Sequence, residues 1–194
     1  MARNPSFLKR IRHVLEYVLL KLYLALCILV GAKNASNMGG VVGRFIGSLL
    51  GKSRAVVKRI EAHLDDADGQ EIMLGMWDNL GRTVLEYPLL NRIRINEEKN
   101  HVQLVGIENL ELLRDDNKPG ILFTGHLGNW EIPAICMSAH GLPQHFVYRA
   151  PNNPYVEKLF ERRHLIDCIP IPKGAKGARM ALTALSKGGH LGML

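Results

Sequence analysis

The chain has 194 residues, 47% hydrophobic and 22% charged, which is enough to bury one core and ordinary for a folded protein. Its three cysteines (Cys27, Cys136, Cys168) are scattered with no CxxC spacing, which argues against a disulfide framework and for free thiols in a reducing compartment. The net charge of +7 conceals an asymmetry: residues 1–59 carry eleven Lys/Arg against one acid, Glu16, whereas residues 60–194 carry fourteen against seventeen. Basicity beside the most apolar stretch fits an anionic membrane surface, and the lack of an aromatic-rich basic motif argues against nucleic acid.

Arg3, Lys9, Arg10 and Arg12 precede residues 14–30, which are apolar except for Glu16, Tyr17, Lys21 and Tyr23. Crossing the hydrocarbon takes about 20 residues, so this segment is short for a span. Lys21 can snorkel and Glu16 lies near one end, which leaves three readings: a tilted anchor, an interfacial helix or a buried soluble helix. No small-residue cleavage site follows closely, against a signal peptide. Lys33, Arg44, Lys52 and Arg54 place cations on the far side too, so orientation is not set.

Gly39, Gly43, Gly47 and Gly51 repeat every fourth residue. They predict either one small-residue helix face for close packing or a glycine-rich linker. Residues 54–87 read helical, with a break at Asp65 to Gly69. From Pro119 the pattern changes. Residues 120–124 (GILFT) predict a strand buried on both faces. Asn129 predicts the cap of a helix through Ile132, Ile135, Cys136 and Ala139, with Pro133 in its first turn. Residues 145–148 and 168–171 predict further strands, Val156, Leu159 and Phe160 a second helix, residues 178–187 a third, and residues 190–194 a fourth strand. Such alternation predicts an α/β fold with right-handed βαβ crossovers and a mostly parallel sheet.

The most specific segment is Thr124-Gly-His-Leu-Gly-Asn-Trp-Glu131. His126 hangs off the carboxyl end of a strand, and Glu131 falls in the first turn of the next helix. That bend can bring the carboxylate within reach of one ring nitrogen and leave the other free to take a proton. Gly125 and Gly128 permit the turn, and amides at the helix start can stabilise an oxyanion. The bland alternative is a loop-filling histidine with a carboxylate that complements the helix dipole.

In a parallel sheet His126, Arg149 and Lys173 would share the carboxyl rim, where open α/β sheets bind ligands. Arg149, Lys173 and Arg179 suit phosphate, or else form a solvated basic face. Asn152 and Asn153 read as turn formers or ligands. A zinc site from His126, His140, His145 and Glu131 has no usual ligand spacing.

At GHLGNWE the chain resembles the late acyltransferases of lipid A biosynthesis. The resemblance continues through Tyr148-Arg-Ala-Pro-Asn-Asn-Pro154, Ile171-Pro-Lys-Gly-Ala-Lys-Gly-Ala-Arg179 and Gly188-Gly-His-Leu-Gly-Met-Leu194, and the first two blocks look like the alphaproteobacterial branch. It implies transfer of a fatty acyl chain from an acyl carrier protein thioester to a hydroxyacyl group of a phosphorylated glycolipid. On that reading His126 is the general base and Glu131 orients it. Arg149, Asn152, Asn153, Lys173 and Arg179 contact substrate, and no cofactor or metal is used. It further implies a bacterial inner-membrane protein acting on the cytoplasmic face, with residues 1–59 as a basic membrane-anchoring segment and residues 60–194 as the catalytic α/β domain. Family members continue past this point, beginning with an Asp-Gln pair, so a truncated domain with an unpaired edge at its last strand is expected. The rival expectations are a different glycolipid or phospholipid acceptor, or an inactive remnant. The Pro-Glu-Gly block usual in glycerolipid enzymes is missing.

Overall fold

The computed structural model describes residues 7–92, 102–148, 151–161 and 168–194. The chain forms two compact units, residues 24–90 and residues 1–23 with 91–194.

Helix α1, Phe7–Val30, runs 24 residues and begins seven residues before the apolar segment expected from the sequence. At 1.5 Å per residue it measures about 36 Å, longer than the roughly 30 Å hydrocarbon layer. It is therefore not short for a span: by length and composition it can cross a membrane. Its charged residues do not interrupt the helix, and Arg12 and Glu16 pair across one turn at 3.2 Å.

Residues 24–90 contain α2 (Ala32–Leu49), α3 (Gly51–Glu61) and α4 (Gly69–Glu86), followed by a 3₁₀ turn at Tyr87–Arg92. The glycine repeat is a packing face, not a linker. A Cβ added at Gly39 would overlap the Gly81 carbonyl, one at Gly43 the Trp77 carbonyl and one at Gly47 the Trp77 ring. Helices α2 and α4 thus meet backbone to backbone, which only small residues permit. Gly51 is outside this face, with nothing near its Cβ position. Ser53 fastens α3 to the pair: its buried hydroxyl donates to the Gly47 carbonyl (2.6 Å) and accepts from Trp77 Nε1 (3.0 Å). The helical run does break near the expected place, over residues 62–68, and Gly69 already belongs to α4. Asp68 caps α4 by accepting from the Glu71 amide at 2.9 Å.

The other unit holds α5 (Ile107–Asp115), β1 (Gly120–Phe123), α6 (Ile132–Ala139), β2 (Gln144–Tyr148), α7 (Pro154–Glu161), β3 (Ile169–Pro172), α8 (Ala175–Ser186) and β4 (His190–Met193). The α/β expectation holds: among the described residues four strands form one sheet in the order β1-β4-β2-β3, parallel at every pairing. Strand β4 is paired on both sides, so among the described residues the sheet edges are β1 and β3 and not β4. Leu142, Ile171, Leu191, Cys136 and Ala184 form the core here. Gly177 lets α8 lie on β3, since a Cβ there would overlap the Pro172 carbonyl. On β1 the double-sided burial fails: Ile121 is exposed and Phe123 is 78% exposed. Its apolar run marks an edge strand with one apolar row left open.

Candidate functional site

The parallel pairing sets the carboxyl ends of the strands along one rim. Strand β1 ends at Phe123, and its ladder continues one step further as the Thr124 amide donates to the Met193 carbonyl (2.9 Å). The chain then turns sharply, with the Leu127 amide on the Gly125 carbonyl at 2.8 Å and Gly128 at φ 55°. A left-handed φ is easy only for glycine. His126 therefore stands exposed at the head of the turn, beside Leu127, which is 84% exposed.

Helix α6 starts at Ile132, three residues after the expected cap. Asn129 closes the preceding turn instead: its side-chain oxygen accepts from the Glu131 amide (3.2 Å) and its carbonyl from the Ile132 amide (3.1 Å). The amides of Leu127, Glu131 and Ile132 are thus already bonded, and Pro133 has none. The expectation that amides at the helix start hold an oxyanion is not met at these positions.

No hydrogen bond joins His126 to Glu131 in this structure. Trp130 stands between them in the chain: its ring lies 5.2 Å from the His126 ring at 57°, and its side chain is close enough to favour the charged form of Glu131. Burial pushes the Glu131 carboxyl above the usual carboxylate range, and Trp130 opposes part of that shift. A carboxylate half-withdrawn from water beside an exposed imidazole is a pair whose contact can tighten when substrate excludes solvent. Trp130 was not singled out from the sequence, although its place between the two residues marked it.

The cations divide. Lys173 directly follows β3, exposed, and its amide donates to the Tyr148 carbonyl at the end of β2 (3.2 Å). Strands β1 and β3 are three positions apart, roughly 14 Å at the usual strand spacing. His126 and Lys173 thus share the rim without touching. Arg149 lies outside the described residues. Helix α8 begins at Ala175, three residues before the expected start, with Gly174 at φ 109° in the turn ahead of it, which puts the exposed Arg179 in the second helical turn.

Asn152 is exposed, but Asn153 is buried. The Asn153 side-chain oxygen accepts from the Tyr155 amide (3.0 Å) at the start of α7. Its amide nitrogen donates to the His13 carbonyl (2.8 Å) and to Glu16 Oε2 (2.9 Å). Tyr17 and Tyr155 lie alongside, ring centroids 6.0 Å apart. Asn153 thus ties α1 to α7 rather than presenting its amide to a ligand. Glu16, the lone acid in the basic segment, is part of this tie. The histidines of the zinc alternative are engaged separately: His140 Nδ1 donates to the Cys136 carbonyl (2.8 Å) and His145 Nδ1 to the His190 carbonyl (3.3 Å).

The chain is thus an α/β protein whose parallel sheet carries a histidine and a partly buried glutamate just past the carboxyl end of β1. The family model for bacterial lipid A biosynthesis acyltransferases matches residues 4–194, and the chain belongs to that family. It is accordingly an acyltransferase. No individually curated protein matches it.

Proposed function

We propose that this acyltransferase moves a fatty acyl chain from an acyl carrier protein thioester to a hydroxyacyl group of a phosphorylated lipid A precursor, on the cytoplasmic face of the bacterial inner membrane. The observation that carries the reading is the strand–turn–helix at residues 120–139. It leaves one imidazole exposed at the sheet rim with a half-buried carboxylate one aromatic ring away. His126 removes the proton as the acceptor hydroxyl attacks the thioester carbonyl. The tetrahedral intermediate collapses, the carbon–sulfur bond breaks, and the imidazolium returns its proton to the departing thiolate. Glu131 orients the ring and stabilises its transient positive charge. This sequence needs no covalent intermediate on the protein.

Arg149, Lys173 and Arg179 supply the positive charge for the acceptor's phosphate or the acidic carrier. The roughly 14 Å between β1 and β3 suits a large glycolipid reached from both ends of the rim better than a small ligand. Asn152 can contact substrate directly, while Asn153 acts by holding α1. Residues 1–59 attach the chain to the membrane, and residues 60–194 carry the transfer chemistry. The test is transfer from acyl carrier protein thioesters to a tetra-acylated precursor, with and without its phosphates. Arg149→Ala should raise KM for the phosphorylated acceptor and Arg149→Lys should restore part of it, because lysine replaces the charge but not the bidentate fork. An equal loss on the dephosphorylated acceptor would contradict the phosphate role.

A further inference from the structure

Helix α2 has two apolar sides, and α4 covers only the glycine side. On the other, Met38, Val41, Val42, Phe45, Ile46 and Leu49 recur at alternating intervals of three and one, all exposed, with Phe45 at 65% and Leu49 at 70%. This is the stripe of an amphipathic helix that has an apolar partner. Residues 31–59 contain six cations and no acid. Arg44 is held by Glu71 at 3.1 Å, while Lys33 before the stripe and Lys52, Arg54, Lys58 and Arg59 after it are exposed. A mixed-charge protein surface would not match a stretch whose charges are all of one sign. An anionic bilayer surface would, taking the apolar row below its headgroups and the cations among them.

We propose that α2 is a second membrane contact, lying in the interface of an anionic bilayer along this stripe, independent of α1. The inference rests on the membrane reading of residues 1–59 and adds a site to it. With α1 alone the chain is tethered at one point. With α2 also immersed, the unit of residues 24–90 is held against the headgroups, where a lipid acceptor enters.

The test uses the full chain carrying Phe45→Trp, Leu22→Trp or Gln70→Trp, each at an exposed position, reconstituted in vesicles containing brominated lipid. Emission is compared with the parent, whose tryptophans are Trp77 and Trp130. In phosphatidylglycerol–phosphatidylethanolamine vesicles, Phe45→Trp and Leu22→Trp should gain quenching, whereas Gln70→Trp in α4 should gain none. Adding Lys52→Gln, Arg54→Gln and Lys58→Gln, or changing to phosphatidylcholine, should lessen the quenching at position 45 and leave that at 22. Quenching at 22 without 45 overturns the α2 contact and leaves the α1 anchor standing; absence at both overturns both. Equal quenching at 45 in anionic and zwitterionic lipid overturns the charge recognition. Shielding of position 45 from iodide in detergent, together with a dimer in sedimentation, assigns the stripe to a second copy and overturns the proposal.

Discussion

The α2–α4 pair and the turn at His126 use glycine for opposite ends. In the helix pair, Gly39, Gly43, Gly47 and Gly81 are places where backbone touches backbone or ring, and nothing larger fits. At the turn, Gly128 has open space at its Cβ position and is required only for its left-handed φ. One region is closed by contact. The other is held by a few local hydrogen bonds around an exposed imidazole and a carboxyl that burial disfavours as an anion. Packing and the proposed chemistry therefore fall in different stretches, and substitutions should separate them.

The largest effect on folding is expected at Gly43→Val. Overpacking a core typically costs 1–3 kcal/mol, and here the clash is with backbone, so about 3 kcal/mol or more is expected. Denaturant unfolding of the detergent-solubilised chain should show it, with Gly51→Val much milder. Equal losses at positions 43 and 51 would refute the packing face.

Asn153→Ala should come next. It removes a helix cap worth about 1 kcal/mol and leaves its hydrogen-bonded partners unpaired, so roughly 2 kcal/mol is expected. Asn153→Asp should keep the cap but set a carboxylate against Glu16, and Glu16→Gln should relieve that repulsion. A double-mutant cycle that finds positions 16 and 153 additive would remove the tie between α1 and α7.

Much of the fold was legible in the sequence because its signals are local. Apolar runs such as GILF, and the alternation of such runs with helical spacing, place strands and helices within a few residues. The glycine repeat also gave its face, though only packing could distinguish that face from a linker. What depends on distant partners was not legible. Helix α1 extends back to Phe7, and its Glu16 meets Arg12 and Asn153, the latter 137 residues away. Helix α5 went unread, although Leu110 and Leu113 follow Ile107 at intervals of three. The position of β4 between β1 and β2 is a property of pairing, not of composition. At the candidate site, the turn that carries His126 and Glu131 was readable, but not the approach of the Trp130 ring to His126 nor the engagement of the neighbouring amides by Asn129.

The smallest effect concerns pH. The Glu131 carboxyl is raised above its ordinary value in the folded chain, so the folded state binds the proton more tightly than the unfolded one. Stability from this group is present in full below the unfolded value, about 4.3, and is lost as pH rises through the folded value. Glu131→Gln abolishes that loss. The variant should equal or exceed the parent in thermal stability at neutral pH, with its advantage shrinking on acidification. A variant less stable at neutral pH than in acid, relative to the parent, would reverse the sign.

The central claim is that the His126 imidazole carries the proton in acyl transfer. It is tested most directly by the single-turnover rate with an acyl carrier protein thioester and a phosphorylated glycolipid acceptor, for the parent and His126→Ala in the same vesicles. Loss of a general base typically costs 10²–10⁴-fold, so the account predicts a fall of at least about 10²-fold with an unchanged unfolding transition, and a smaller fall for Glu131→Gln. A His126→Ala chain that transfers acyl groups at near the parent rate would contradict it.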